Sequence, residues 1–170
     1  LDERTYFEIV DRKTASLIAA ACRLGARHAG AGPDAAERFE SFGRSLGIAF
    51  QIQDDLLDLT GDQAVVGKSL GKDLEKGKLT LPLIHHLAAA GPERRGRTLT
   101  LLEATSGPHQ RGAAEASLAQ ALVETGSIDH ARRAAERLVA QAKAALEPLP
   151  ESPARALLLM MADAVVTRAF

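Results

Sequence analysis

Apolar residues recur through this chain at steps of three and four, a period that suits the face of a helix and not the alternating face of a strand. Tyr6, Ile9, Val10, Leu17, Ile18, Ala21 and Leu24 trace one such line from Asp2 to about His28. Phe39, Phe42, Leu46, Phe50, Gln53 and Leu57 trace a second from Asp34 to about Thr60. Strand-forming aromatic residues are scarce, with no Trp, one Tyr and five Phe, while Ala and Leu abound, so local propensity agrees with the period. The expected class is all-α, with essentially no sheet.

Breaks in the pattern divide the helices. Gly30-Ala-Gly-Pro33 ends the first, and Asp34 is placed to cap the second. Residues 61–79 carry Gly61, Gly67, Gly71 and Gly77 among four lysines, a composition and length that predict a ligand-sized loop. A short helix is expected from Leu81 to Ala89 with Pro82 in its first turn, and Gly91-Pro92 stops it. Another is expected over 93–104, then a turn at Ser106-Gly-Pro108. Helices over 110–124 and 127–147 follow, split by Gly126, with Ser127 as an N-cap. Pro148 to Pro153 reads as a rigid connection, with Ser152 capping a last helix that ends near Phe170. With 170 residues, no internal repeat and no second domain signal, residues 1–170 are expected to form a single domain.

Charge and composition exclude several functions. Lys and Arg number 21 against 22 Asp and Glu, which removes a broad electrostatic case for nucleic acid or an anionic membrane surface. Hydrophobic residues at 46% and charged residues at 25% are ordinary globular usage. No run reaches the roughly 18 apolar residues of a membrane helix. The single Cys22 can form no internal disulfide and reads as a small core residue, so a cytoplasmic protein is expected. The chain begins at Leu1 directly in a helical pattern and reads as cut at its N-terminal end.

Chemistry concentrates at the end of the second helix, in Phe50-Gln51-Ile52-Gln53-Asp54-Asp55-Leu56-Leu57-Asp58. Asp54 and Asp58 are four apart and share a face, with Gln51 one turn before Asp54. Like charges at this spacing destabilise a helix, and the negative end of the helix dipole adds to the penalty. A cation relieves both. Hard carboxylate oxygens suit Mg²⁺, which binds through one or two carboxylates together with substrate phosphates. The next segment supplies Lys68, Lys72, Lys76 and Lys78 on a glycine-rich tether. A magnesium-bound polyphosphate satisfies acids and lysines together, whereas the plain alternative is a solvated acidic helix end.

These residues resemble the trans-isoprenyl diphosphate synthases, and the resemblance is ordered along the chain. Lys13-Thr14, Gly47-Ile-Ala-Phe-Gln51, Asp54-Asp-Leu-Leu-Asp58, Gly61-Asp62, Gly67-Lys68, Gly71-x-Asp73 and Lys78-Leu-Thr-Leu-Pro82 carry it. Tyr6-x-x-Ile9-x-x-x-Lys13-Thr14-Ala15 and Lys78 to Ile84 look more like the long-chain octaprenyl, solanesyl and heptaprenyl branch than the farnesyl branch. The resemblance implies an isoprenoid synthase-type helical bundle restricted to its C-terminal helices. It implies a prenyltransferase that condenses isopentenyl diphosphate with an allylic diphosphate, uses Mg²⁺ and acts as a homodimer. Asp54, Asp55 and Asp58 match the family's second aspartate-rich motif, with Asp54 as principal ligand and Asp73 acting through water. Lys13, Lys68 and Lys78 match lysines on the allylic diphosphate. Thr14 and Gln51 match oxygen-bearing residues beside the reacting carbon, and Phe50 lines the neighbouring site.

The family's first aspartate-rich motif, its Gly-Gly-Lys segment and its upstream arginines have no counterpart here, so the chain alone is expected to be inactive. Terpene cyclases share the expected fold but not the ordered lysines, and a partner-dependent subunit is the other alternative. Outside the motifs, His85 and His86 are adjacent and point about 100° apart, a poor arrangement for one metal. Arg94, Arg95 and Arg97 read as a solvated face beside Glu93, and Met160 and Met161 as core.

Overall fold

A computed structural model describes residues 1–60, 77–105 and 111–167. Among these residues helices are joined by turns and short irregular segments, with no strand. In order, α1 spans Glu3–Val10, a π-helical turn Asp11–Ala15, α2 Ser16–His28, α3 Pro33–Thr60, α4 Leu81–Ala89, α5 Pro92–Thr105, α6 Arg111–Glu124, α7 Ser127–Leu146 and α8 Pro153–Thr167. The all-α expectation holds. The sequence-predicted turn at Ser106-Gly-Pro108 and most of the loop over 61–79 lie outside the described residues.

The chain divides into two compact units, one from residues 1–6 and 54–132 and the other from residues 7–53 and 133–168. In the second of these, Phe42 and Ala49 of α3 are buried with Val139, Ala142 and Leu146 of α7 and with Ala162 and Val165 of α8. Cys22, Phe39 and Leu46 pack at the margin of this core, and partial burial raises the Cys22 thiol pKa. Ser152 caps α8 as expected, its hydroxyl accepting the Arg155 N–H at 3.1 Å. Met160 and Met161 do not join the core. They are 68% and 50% exposed, because the face of α8 that meets the core is the one carrying Leu158, Leu159, Ala162 and Val165.

The first long helix also departs from its expected face. Leu17 and Leu24 are 75% and 68% exposed, and the buried positions are Tyr6, Val10, Ala15, Ala19 and Ala26. Between Val10 and Ala15 the step is five, which an α-helix does not keep on one face. The π-helical turn supplies the extra residue. Ser16 closes that turn, its N–H reaching the Asp11 carbonyl and its hydroxyl donating to the Arg12 carbonyl at 2.9 Å.

Small residues face inward on this helix because α3 meets it through glycine. A Cβ on Gly47 would lie 2.7 Å from the Ala15 Cα, and one on Gly43 would lie 2.8 Å from the Ile18 carbonyl oxygen. Backbones this close leave no room for a side chain on either glycine. Charge fastens the same contact: Arg44 on α3 holds Asp11 at 2.5 Å and Glu40 at 3.2 Å, and Glu40 also accepts from Arg23 of α2 at 2.6 Å. These pairs are partly exposed and add less than the packing does.

In the other unit, α4, α5 and α6 pack on one another. Leu81, Leu83 and Ile84 of α4 are buried, as are Leu118 and Leu122 of α6. Gly126 adopts φ +65° in the turn between α6 and α7, a left-handed conformation that suits glycine. Ser127, expected as a simple cap, is buried with its hydroxyl 2.9 Å from His85 Nδ1 and 2.8 Å from Thr125 Oγ1. His86 is buried too, its ring nitrogens 2.9 Å from Thr125 Oγ1 and 2.7 Å from Thr98 Oγ1. The two histidines are hydrogen-bonded members of a polar network, and His85 stacks on His130 with ring centroids 4.1 Å apart.

Two outcomes follow from this packing. Gly47→Ala should destabilise the protein by about 1–3 kcal/mol through overpacking. Gly96→Ala in α5, where an added Cβ meets nothing within 4 Å, should stabilise it by roughly 0.5–1 kcal/mol. Urea unfolding of both variants measures the contrast. Burial, followed by the positive charge of Arg94, lowers the His86 pKa from its ordinary 6.5. The unfolded chain therefore takes up this proton first as pH falls. The stability associated with neutral His86 is complete above 6.5 and declines as acidification proceeds toward the lower folded pKa. In unfolding curves collected from about pH 7 to about pH 5, His86→Gln should show a flatter decline than wild type.

Candidate functional site

The acids at the end of α3 do not share one environment. Asp54 is exposed. Asp58, one turn on, is partly buried, and the 100° rotation per residue turns Asp55 away from Asp54. Asp55 is 0% exposed. Its Oδ2 accepts the Tyr6 hydroxyl at 2.8 Å and its Oδ1 accepts Lys78 Nζ at 2.8 Å. Asp55 and Lys78 were expected on a metal and on a diphosphate respectively, and the structure pairs them with each other.

This pairing has a clear physical reason. A carboxylate removed from water is tolerated only when charge and hydrogen bonds replace the lost hydration. Lys78 replaces the charge, its side chain 32% exposed, and Tyr6, itself 3% exposed, supplies a neutral donor. The positions that flank Asp55 are also apolar and buried, Ile52 at 0% and Leu56 at 4%. Asp55 therefore belongs to the inward face of α3, while Asp54 belongs to the outward one. Phe50, expected to pack inward and line a site, is 39% exposed.

The other expected residues occupy the second unit. Thr14, within the π-helical turn, donates its hydroxyl to the Gln51 Oε1 at 3.1 Å, so two side chains singled out for their oxygen dipoles touch. The widened turn presents Lys13 to solvent beside Thr14, and among the described residues Lys13 makes no ion pair. Nothing in the apolar spacing alone marked the π-helical turn. The step of five between Val10 and Ala15 is its signature once the small residues are counted as core. Lys68 and Asp73 lie outside the described residues.

Donor chemistry decides which cation this site could take. Among the described residues no group of three or more His, Cys, Asp or Glu side chains forms a metal cage. What remains is the pair Asp54 and Asp58 on one helix face, hard oxygen donors too few to enclose an ion. That set fits Mg²⁺, which keeps waters and completes its shell with phosphate oxygens, and does not fit a structural zinc site.

The Asp55 cluster generates a test. Lys78→Met should destabilise the protein by about 3–5 kcal/mol by stranding a buried charge. Tyr6→Phe should cost about 1–3 kcal/mol by removing one neutral donor. Equal losses in denaturant unfolding would show that Asp55 is not held as an ion by Lys78.

Comparison with known proteins places this arrangement. The sequence model of the family described as Polyprenyl synthetase matches residues 1–122. A short chain isoprenyl diphosphate synthase of Methanothermobacter thermautotrophicus is 37% identical over 170 residues, covering 98% of this chain and 50% of the relative. A heptaprenyl diphosphate synthase component 2 of Geobacillus stearothermophilus is 38% identical over 155 residues, covering 91% and 46%. The crystal structure of a polyprenyl synthase from Caulobacter crescentus, complexed with calcium and isoprenyl diphosphate, superposes with a TM-score of 0.90 at 33% identity, covering 100% of this chain and 51% of that one. The chain thus spans about half the length of the relatives it matches, and their names cover both short and long products. With the helical fold and the family sequence model in agreement, this chain belongs to the polyprenyl synthetase family.

Proposed function

We propose that this chain provides the second acidic half of the active site of a magnesium-dependent polyprenyl diphosphate synthase, which joins isopentenyl diphosphate to an allylic diphosphate. The observation that carries the reading is the division of labour on α3. Asp55 is engaged by Tyr6 and Lys78, and Asp54 is exposed on the other face.

In this reading Asp54 and Asp58 hold Mg²⁺, with Asp73 assisting through water. When bound, the ion neutralises charge on the departing diphosphate. Lys13 and Lys68 meet diphosphate oxygens as compact point charges. Lys78, through its ion pair with Asp55, keeps α3 seated while remaining near enough to the surface to reach a ligand. The Thr14 hydroxyl, donating to Gln51, fixes the Gln51 carbonyl dipole and leaves its own lone pairs free for positive charge developing at the allylic carbon. The allylic C–O bond breaks, the double bond of isopentenyl diphosphate attacks the cation, and the proton lost from the adduct passes to the released diphosphate. Phe50 covers the neighbouring subsite.

The resemblance of Lys13-Thr14-Ala15 and of Lys78 to Ile84 to long-chain enzymes supports products of heptaprenyl length or longer. A homodimer in the cytoplasm is the expected state; among the described residues no helix is long and apolar enough to cross a membrane. One observation favours a second reading: a relative named component 2 points to a subunit that works only with a partner of different sequence.

Incorporation of labelled isopentenyl diphosphate tests these readings, using this chain alone and together with the first half of a polyprenyl synthase. Activity should require both pieces and Mg²⁺. Asp54→Asn should lower kcat by roughly 10²- to 10³-fold with unchanged thermal stability. Wild-type turnover by that variant would reject the proposed site, and chromatography of the dephosphorylated product reads chain length directly.

A further inference from the structure

We propose that the cleft between α5 and α6, floored by α4, is a second anion site that takes a small phosphate-bearing molecule without a metal ion. The cavity has a volume of about 280 Å³, near the lower limit of small-molecule pockets, roughly 300–1,000 Å³. It has room for a phosphate or diphosphate with a short substituent and none for a polyprenyl chain. It lies within the unit that contains α4, α5 and α6 and uses none of the acids of α3.

Two guanidinium groups define the ligand's charge. Arg94 and Arg97 are three apart on α5 and both line the cavity, as neighbours on one helical face. Arg94 makes no ion pair or hydrogen bond among the described residues. Arg97 is paired with Glu93 at 2.5 Å, but the two side chains are 74% and 80% exposed. A pair so exposed contributes little and gives way to a phosphate that a guanidinium can grip through two N–H groups. Against these stands one carboxylate, Glu124 on α6. It already accepts from the Gln120 amide at 3.2 Å, which leaves the second amide hydrogen of Gln120 available to the cavity.

The floor is built to stay neutral and fixed. The ring nitrogens of His86 lie 2.9 Å from Thr125 Oγ1 and 2.7 Å from Thr98 Oγ1, which holds the α5 wall to α4, and burial lowers the His86 pKa and so favours its neutral form. Arg94 contributes to the lowering of the His86 pKa, and an anion placed on Arg94 relieves that effect. Leu101 and Ala121 supply an apolar wall, suited to a short organic substituent and not to a bare cation.

Isothermal titration of the chain with inorganic diphosphate in EDTA measures binding that needs no metal, and substitution of Lys13 and Lys68 separates this site from the diphosphate lysines of the proposed synthase site. Binding with a Kd of about 1 mM or tighter is expected. It should weaken at least about tenfold in the Arg94→Gln/Arg97→Gln double variant and be unchanged in Lys13→Gln/Lys68→Gln. Ser117→Asp, which sets a carboxylate on the α6 wall, should abolish binding without altering α5, and the His86 imidazole resonances should shift on titration of the wild type. No binding at millimolar diphosphate, or binding that survives the arginine substitutions, overturns the proposal. Loss of binding in the Lys13→Gln/Lys68→Gln variant assigns the probe to the diphosphate lysines of the synthase site and overturns it too. The synthase reading is untouched by each of these results, since its own test requires magnesium.

Discussion

A fully buried carboxylate governs what the end of α3 can do. Asp55 has lost its hydration completely, and Tyr6 and Lys78 arrive from distant points of the chain to meet both oxygens and offset the loss. Breaking either partnership penalises every alternative rotation of the helix end, since turning Asp55 outward would drive Asp54 or an apolar neighbour into its place. The ion pair therefore does more than hold two elements together: it sets the rotational phase of the acidic motif. Asp54 is exposed as a consequence of where Asp55 is held.

The helix carrying Lys13 and Thr14 obeys a different constraint. Its contact with α3 is governed by closeness, with Gly43 and Gly47 admitting the backbone of Ala15 to Ala19 at distances that exclude any side chain. Dispersion at such short range rewards small residues on both sides, which is why the larger Leu17 and Leu24 point away. Thr14 can reach Gln51 because these two backbones are near enough for short side chains to touch.

Helix positions and class were legible in the sequence because period, caps and breakers agreed at almost every boundary; Ser152 before Pro153 and Gly126 between two helices behaved as their chemistry required. Facing was less legible. Counting large apolar residues put Leu17, Leu24, Phe50 and Met160 on the inner side, but alanine and glycine form the closest contacts, and their small hydropathy hides them from such a count. The motif at Asp54 was visible from its spacing, whereas the separate condition of Asp55 was not, because its partners lie 49 residues before it and 23 after it along the chain. The pairing of Thr14 with Gln51 has the same long-range origin.

The π-helical turn at Asp11–Ala15 also limits how this segment can change length. One surplus residue is accommodated there with its carbonyls answered by Ser16, so the stretch before it and the stretch after it keep separate angular settings. Deleting any one of those five residues would restore an ordinary helix and swing one stretch by about 100° relative to the other, taking Val10 or Ala15 out of the interior. Substitutions can be absorbed locally, but insertions and deletions cannot. The spacing between Tyr6 and Thr14 should therefore resist drift in length even where the identities of the intervening residues vary.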